Sequence, residues 1–197
     1  MRMLLTAWTV GLLALSNPAS AAVVTFDTDP FAGSTALTTP GRQIVGGEPS
    51  INFSIGTDTF AFAQGVFGVD SPLTVVVDVA ANLPAGGADV IVLLDFPVPF
   101  NAGLAANAIA AQVSDPGAGF FIYFNSGLDL PRLVFSTDLS DPTADLKIMA
   151  RLIDLGGQQG RDQMASFGAD NFALVPEPSS LALLLLPGLW ALRRRTR

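Results

Sequence analysis

The 197-residue chain contains no cysteine and no histidine. Those absences exclude disulfides, thiolate nucleophiles, His-based triads and ordinary zinc sites, each of which needs one of the two side chains. Polar-tipped aromatics are nearly as scarce. Both tryptophans, Trp8 and Trp190, lie close to the ends, and the single tyrosine, Tyr123, stands among fourteen phenylalanines. Flat Trp and Tyr platforms are the usual handle for a sugar face, so the interior offers one such residue. Lysine occurs once, as Lys147, which makes it the only base a serine nucleophile could use. Positive charge is thin as well: the segment 22–174 holds Arg42, Arg132, Lys147, Arg151 and Arg161 against 16 acidic residues. A surface that acidic repels phosphate backbones, and nucleic acid is not expected as a partner.

What the chain has in quantity is apolar surface. Half of its residues are hydrophobic, enough for one core and one domain. At the start, Arg2 precedes an apolar run from Met3 to Leu15, Asn17-Pro18 breaks it, and Ala19-Ser20-Ala21 places small residues at alternate positions. That order reads as a secretion signal spanning 1–21, with Ala19 and Ala21 at the cleavage site and cleavage after Ala21 by signal peptidase. At the other end, Leu181 to Leu192 runs into Arg193, Arg194 and Arg195. As a helix those apolar residues rise only about 18 Å against a hydrocarbon core of roughly 30 Å. The arginines act as a membrane stop that the positive-inside rule leaves in the cytoplasm, with the body outside.

Val175-Pro176-Glu177-Pro178-Ser179-Ser180, the short apolar stretch and the arginine-rich terminus together resemble the PEP-CTERM sorting signal. The resemblance implies a substrate of exosortase, an integral membrane enzyme, in Gram-negative bacteria that secrete exopolysaccharide. It makes Pro176, Glu177 and Pro178 the recognition motif and 175–197 the sorting segment. On it, the mature protein is expected at the cell surface or in the extracellular matrix, after transient anchoring in the inner membrane, with exopolysaccharide as a candidate partner. The residues fit a protease handle on physical grounds, since two prolines exclude regular helix and strand pairing and keep the backbone accessible.

Between the ends, residues 22–174, period two prevails. Ile51 to Ile55 alternates apolar with polar, and Leu73, Val75, Val77 and Val79 share a face. Val90 to Leu94 and Phe120 to Phe124 are apolar on both faces, which predicts strands at the centre of a covered sheet. Val23 to Phe26, Thr59 to Ala63, Leu133 to Thr137 and Asn171 to Val175 complete the set. Asp145 to Leu152 fits strand and helix about equally and is assigned as strand because its neighbours are strands. Alanine-rich Asn101 to Gln112 predicts one short helix. The expectation is a mainly β protein: a single β-sandwich of jelly-roll type with one short helix, flanked by an N-terminal signal helix and a C-terminal hydrophobic helix.

Chemistry is sought among the carboxylates. Asp138, Ser140, Asp141, Thr143 and Asp145 form an oxygen-rich loop, but Pro142 stands where an EF-hand ligand belongs and no terminal glutamate follows. The plainer reading is a turn in which short side chains accept from backbone N–H groups. Asp27 with Asp29, or Asp138 with Asp141, are candidate catalytic pairs of a kind that an acidic chain produces by chance. The expectation is therefore a non-enzymatic exported body with no catalytic residue, metal or cofactor. The alternatives are a carbohydrate-binding module of the matrix, marked by an exposed aromatic cluster around Tyr123, and a metal-independent carboxylate hydrolase.

Overall fold

A computed structural model describes residues 20–95 and 101–176 of the chain. The body is mainly β and its strands form two sheets. In chain order they are β1 (Val23–Phe26), β2 (Ile44–Val45), β3 (Ser50–Ile51), β4 (Thr59–Ala63), β5 (Val75–Asp78), β6 (Val90–Leu93), β7 (Gly119–Asn125), β8 (Leu130–Ser136), β9 (Leu146–Leu152) and β10 (Phe172–Val175). Most are runs of β-branched and aromatic residues, the composition that packs well on a pleated surface. Three helices join them: α1 (Gln64–Phe67), α2 (Ala102–Ala110) and α3 (Gly157–Gln163).

The smaller sheet has the order β1-β4-β10, with both outer strands parallel to β4. The larger has the order β2-β9-β8-β7-β6-β5, and β3 continues the β9 edge beyond β2. The alternate faces of its central strands do different work. Val90, Val92, Phe120, Ile122 and Leu133 meet Phe60, Phe62 and Phe172 of the smaller sheet, while Ile91, Leu93, Phe121, Tyr123 and Val134 meet Ala105 and Ile109 of α2. Three layers result, and β6 and β7 are buried along their whole length because they lie in the middle one. Stacked rings seal the contact between sheets, with Phe62 against Phe120 at 3.7 Å between centroids, and Phe53, in the loop after β3, stacks on Phe60 at 4.0 Å.

The jelly-roll expectation is corrected. Jelly rolls are antiparallel Greek keys, whereas among the described strands only β7–β8 and β8–β9 are antiparallel. For β6 and β7 the physical reason is α2, whose N-cap Asn101 accepts from Leu104 N at 2.9 Å and so starts a helix between them. A helix there supplies the crossover that parallel neighbours need, and it covers the outer face as a third layer. The expected helix at 101–112 is this one. Two more occur among the described residues, and α3, rich in Gly and Gln, has no apolar period to announce it. The ambiguous segment is strand β9. The strand expected over Ile51 to Ile55 stops at Ile51, because Ser54 N donates to Asp58 Oδ2 at 2.8 Å and Ser54 O accepts from Asp58 N at 3.0 Å, closing a turn. The two flanking helices, at 1–21 and 175–197, lie outside the described residues apart from their inner margins.

Candidate functional site

The residues flanking the body sit at opposite ends of the smaller sheet. Ser20 and Ala21 are exposed, and Ala22 is the first of the described residues held by the fold, its N–H donating to Asp58 Oδ1 at 2.9 Å and its carbonyl accepting from Thr59 N at 2.9 Å. From there β1 runs alongside β4 from Thr59 to Phe62. On the other side of β4, β10 ends with Val175 opposite Ala63, and exposed Pro176 follows at once. Of the residues singled out in the sequence, Ala21 and Pro176 are thus separated by the length of the sheet. Ala19, Glu177, Pro178, Arg193, Arg194 and Arg195 lie outside the described residues.

Asp58 was not singled out, yet it anchors this sheet. It is 7% exposed, and besides Ala22 N it accepts from Ser54 N at 2.8 Å and Thr57 Oγ1 at 3.3 Å. The hydrogen bonds from Ala22 and Ser54 hold its carboxyl below the ordinary range against the opposing effect of burial. Its carbonyl accepts from buried Asn171 Nδ2 at 3.0 Å, at the entry to β10. One residue therefore touches the start of all three strands.

Glu48 is the second buried carboxylate of note, with a side chain 2% exposed. The Gly46-Gly47 turn, where Gly47 takes φ +88°, carries it out of the β9 edge between β2 and β3. Its Oε1 accepts from Arg151 Nε at 2.8 Å and from Arg132 Nη2. Arg132 and Arg151 are cross-strand neighbours on β8 and β9, an arrangement of like charges that is unfavourable alone. Burial pushes the Glu48 carboxyl up, but hydrogen bonds from Arg151, the backbone and Arg132 outweigh it and leave the group below its usual value. A cleft of about 390 Å³ opens beside it between β1 and the β9 edge, with Thr25, Asp29, Glu48, Lys147 and Met149 on its walls. Lys147 Nζ donates to Gly46 O at 2.8 Å, so it is turned to the loop.

The oxygen-rich loop is a set of turns. Asp138 Oδ1 accepts from Ser140 N and Ser140 Oγ, both at 2.8 Å, and Asp141 Oδ1 accepts from Thr143 N at 2.7 Å and Thr143 Oγ1 at 2.8 Å. Asp145 faces the other way, holding Leu37 N and Gln43 N at 2.6 Å each and pinning a strap more than a hundred residues distant in sequence. Among the described residues no group of three acidic side chains is placed to hold a metal ion. Asp29 is likewise spent on a turn, accepting from Phe31 N at 2.9 Å. Tyr123 is fully buried, so the aromatic cluster looked for around it does not reach the surface.

Sequence reasoning did not single out Asp58 or Glu48, and it grouped Asp145 with the oxygen-rich loop rather than with Leu37 and Gln43. Only Glu48 carried a local signal, as the one glutamate before Glu177 and set between Gly-Gly and Pro. No helix among the described residues is long and apolar enough to cross a membrane. Fold and site define a three-layer, mainly β domain with its ends at opposite poles of one small sheet. Comparison with protein-family models, with curated proteins and with solved structures returned no match.

Proposed function

We propose that the chain is an exported cell-surface or exopolysaccharide-matrix protein, processed through a C-terminal signal of the PEP-CTERM type, with a non-enzymatic body. The observation that carries the reading is the fit between folded body and flanking signals: Ala22 is the first of the described residues that the fold engages, and β10 ends at Val175, directly before Pro176. Pro176, the described residue of the handle, is exposed, and a proline lacks the N–H that would carry a strand ladder onward. Signal peptidase and exosortase are the partners this reading requires, with the apolar tail held in the membrane until processing. A non-enzymatic body is in keeping with carboxylates that are committed to turns and arginines and with Lys147 turned to a backbone carbonyl. Sugar binding is the weaker alternative, since Tyr123 is buried.

Mass spectrometry of the exported protein in its native host tests the proposal at both ends. The expected chain lacks residues 1–21 and the Leu181 to Arg197 tail, and changing Pro176, Glu177 and Pro178 together to alanine leaves full-length tail in the inner membrane. An intact Met1 on extracytoplasmic protein defeats the export reading. Identical unprocessed tails in both forms defeat the sorting reading in favour of a plain anchor.

A further inference from the structure

We infer that Asp58 is a built receiving site for the α-ammonium group that signal removal creates at Ala22. The inference rests on the export reading, with cleavage between Ala21 and Ala22. Hydrolysis of that amide delivers hydroxyl to the Ala21 carbonyl carbon and a proton to the Ala22 nitrogen. The new carboxylic acid then gives up its proton to the buffer while the amine takes one, so the products are a carboxylate and an ammonium. The nitrogen that becomes charged already lies 2.9 Å from Asp58 Oδ1 as an amide. Ser20 and Ala21 are exposed, and their departure empties no packed space.

Two observations make this more than a backbone hydrogen bond. Asp58 is buried, and the ion pairs among the described residues join Glu48 and Asp129 to arginines while none reaches Asp58. A buried carboxylate served only by neutral donors gains most from a cation at hydrogen-bond distance, because charge-assisted bonds are roughly twice as strong as neutral ones. The elements that meet here are β1, the 54–58 turn, β4 and the 169–171 turn, and their only other ionisable side chain is Asp170, of the same sign. The site therefore favours a cation, and among the described residues no ion pair supplies one. Its position also matters, since Ala22 O pairs with Thr59 N and the Asp58 carbonyl pairs with Asn171. An ion pair at this point tightens the start of β1, β4 and β10 together, so the processed chain is more stable than its precursor.

The pair is specific to one cleavage position. A chain one residue longer carries its ammonium about 3.5 Å further along the backbone and regains an amide at Ala22. The mature chain has only two amines, the α-amine and Lys147, so amine chemistry reads the site cleanly. The experiment compares exported native protein with Asp58→Asn and with a form carrying one alanine inserted after Ala21. Mass spectrometry fixes each N-terminus, and cyanate carbamylation is followed from pH 6 to 10 with Lys147 as internal reference. In the native protein the α-amine pKa is expected about one unit or more above its ordinary value near 8, giving carbamylation at pH 8 slower by about fivefold or more than in the insertion form. Thermal midpoints add a second readout. Because the folded ammonium pKa is raised, the advantage of the native form over the insertion form is a few degrees below pH 8, and it vanishes as pH rises through the raised value. Equal carbamylation rates in native and insertion forms, with Ala22 confirmed as N-terminus, overturn this site alone. A different native N-terminus overturns the cleavage reading together with it. If Asp58→Asn does not fold, the insertion form, which keeps Asp58, decides the matter.

Discussion

The larger sheet draws its strands from Ile44 to Leu152, inside the chain, whereas the smaller is built from Val23–Phe26, Thr59–Ala63 and Phe172–Val175 and needs both ends in place. Each sheet holds a buried carboxylate, kept ionised by different means. Glu48 has two arginines, and Asp58 has only neutral donors, two of them backbone amides. The contrast teaches that β5 to β9 of the larger sheet follow one another in the chain, while the smaller sheet, like the β2 and β3 edge of the larger, is assembled across long loops. Its Asn171 bond to Asp58 spans 113 residues, and loop closure of that length opposes early formation.

The sharpest way to break the comparison is to separate the sheets. Phe62→Ala removes the ring stacked on Phe120 and is expected to cost about 3–5 kcal/mol, measured by urea unfolding. A loss below about 1 kcal/mol means that the smaller sheet is not packed as described. Next comes Glu48→Gln, which leaves Arg132 and Arg151 facing each other without their shared anion. Its expected cost is about 2–4 kcal/mol, and it is expected to leave carbamylation at Ala22 untouched, since that site belongs to the other sheet.

Gly119→Ala tests the layer on the opposite face. A Cβ there falls 2.5 Å from Leu139 Cδ1 and 2.8 Å from Asp89 O, so overpacking of about 1–3 kcal/mol is expected in the same assay. Acid sharpens the contrast between carboxylates. Both are depressed in the folded chain, so their stabilisation is complete above the unfolded value near pH 4 and is lost as pH falls through the lower folded values. The thermal midpoint is expected to hold from about pH 7 to 5 and to drop below about pH 4, less steeply in Glu48→Gln; equal slopes contradict the depressed Glu48 value. The smallest effect is expected for Asp141→Asn in an exposed turn, within about 0.5 kcal/mol of the native protein by urea unfolding, with the thermal midpoint indifferent to a chelator in both.

Two strands were legible to the residue, and others to within one to three residues at either end. Val23 to Phe26 and Thr59 to Ala63 are strands with those bounds, and the doubly apolar runs at Val90 and Phe120 are the buried centre of the larger sheet. Asn101 opens the expected helix as its N-cap. Strands β2 and β3, two residues each, are too short to show a period, and α3 has none because its glycines and glutamines carry no apolar face.

By itself, the sequence determined which chemistry is absent, which segments alternate as strands, and which ends look like addresses, because composition and local periodicity are carried by adjacent residues. Only the tertiary structure decided which strands lie side by side and in which direction, since a period of two is the same for parallel and antiparallel pairing. It also decided the partners of the acids. Asp58 meets Ala22 across 36 residues, and Glu48 meets Arg132 across 84 and Arg151 across 103, separations at which no spacing rule operates and only the crossovers of the chain bring charge to charge.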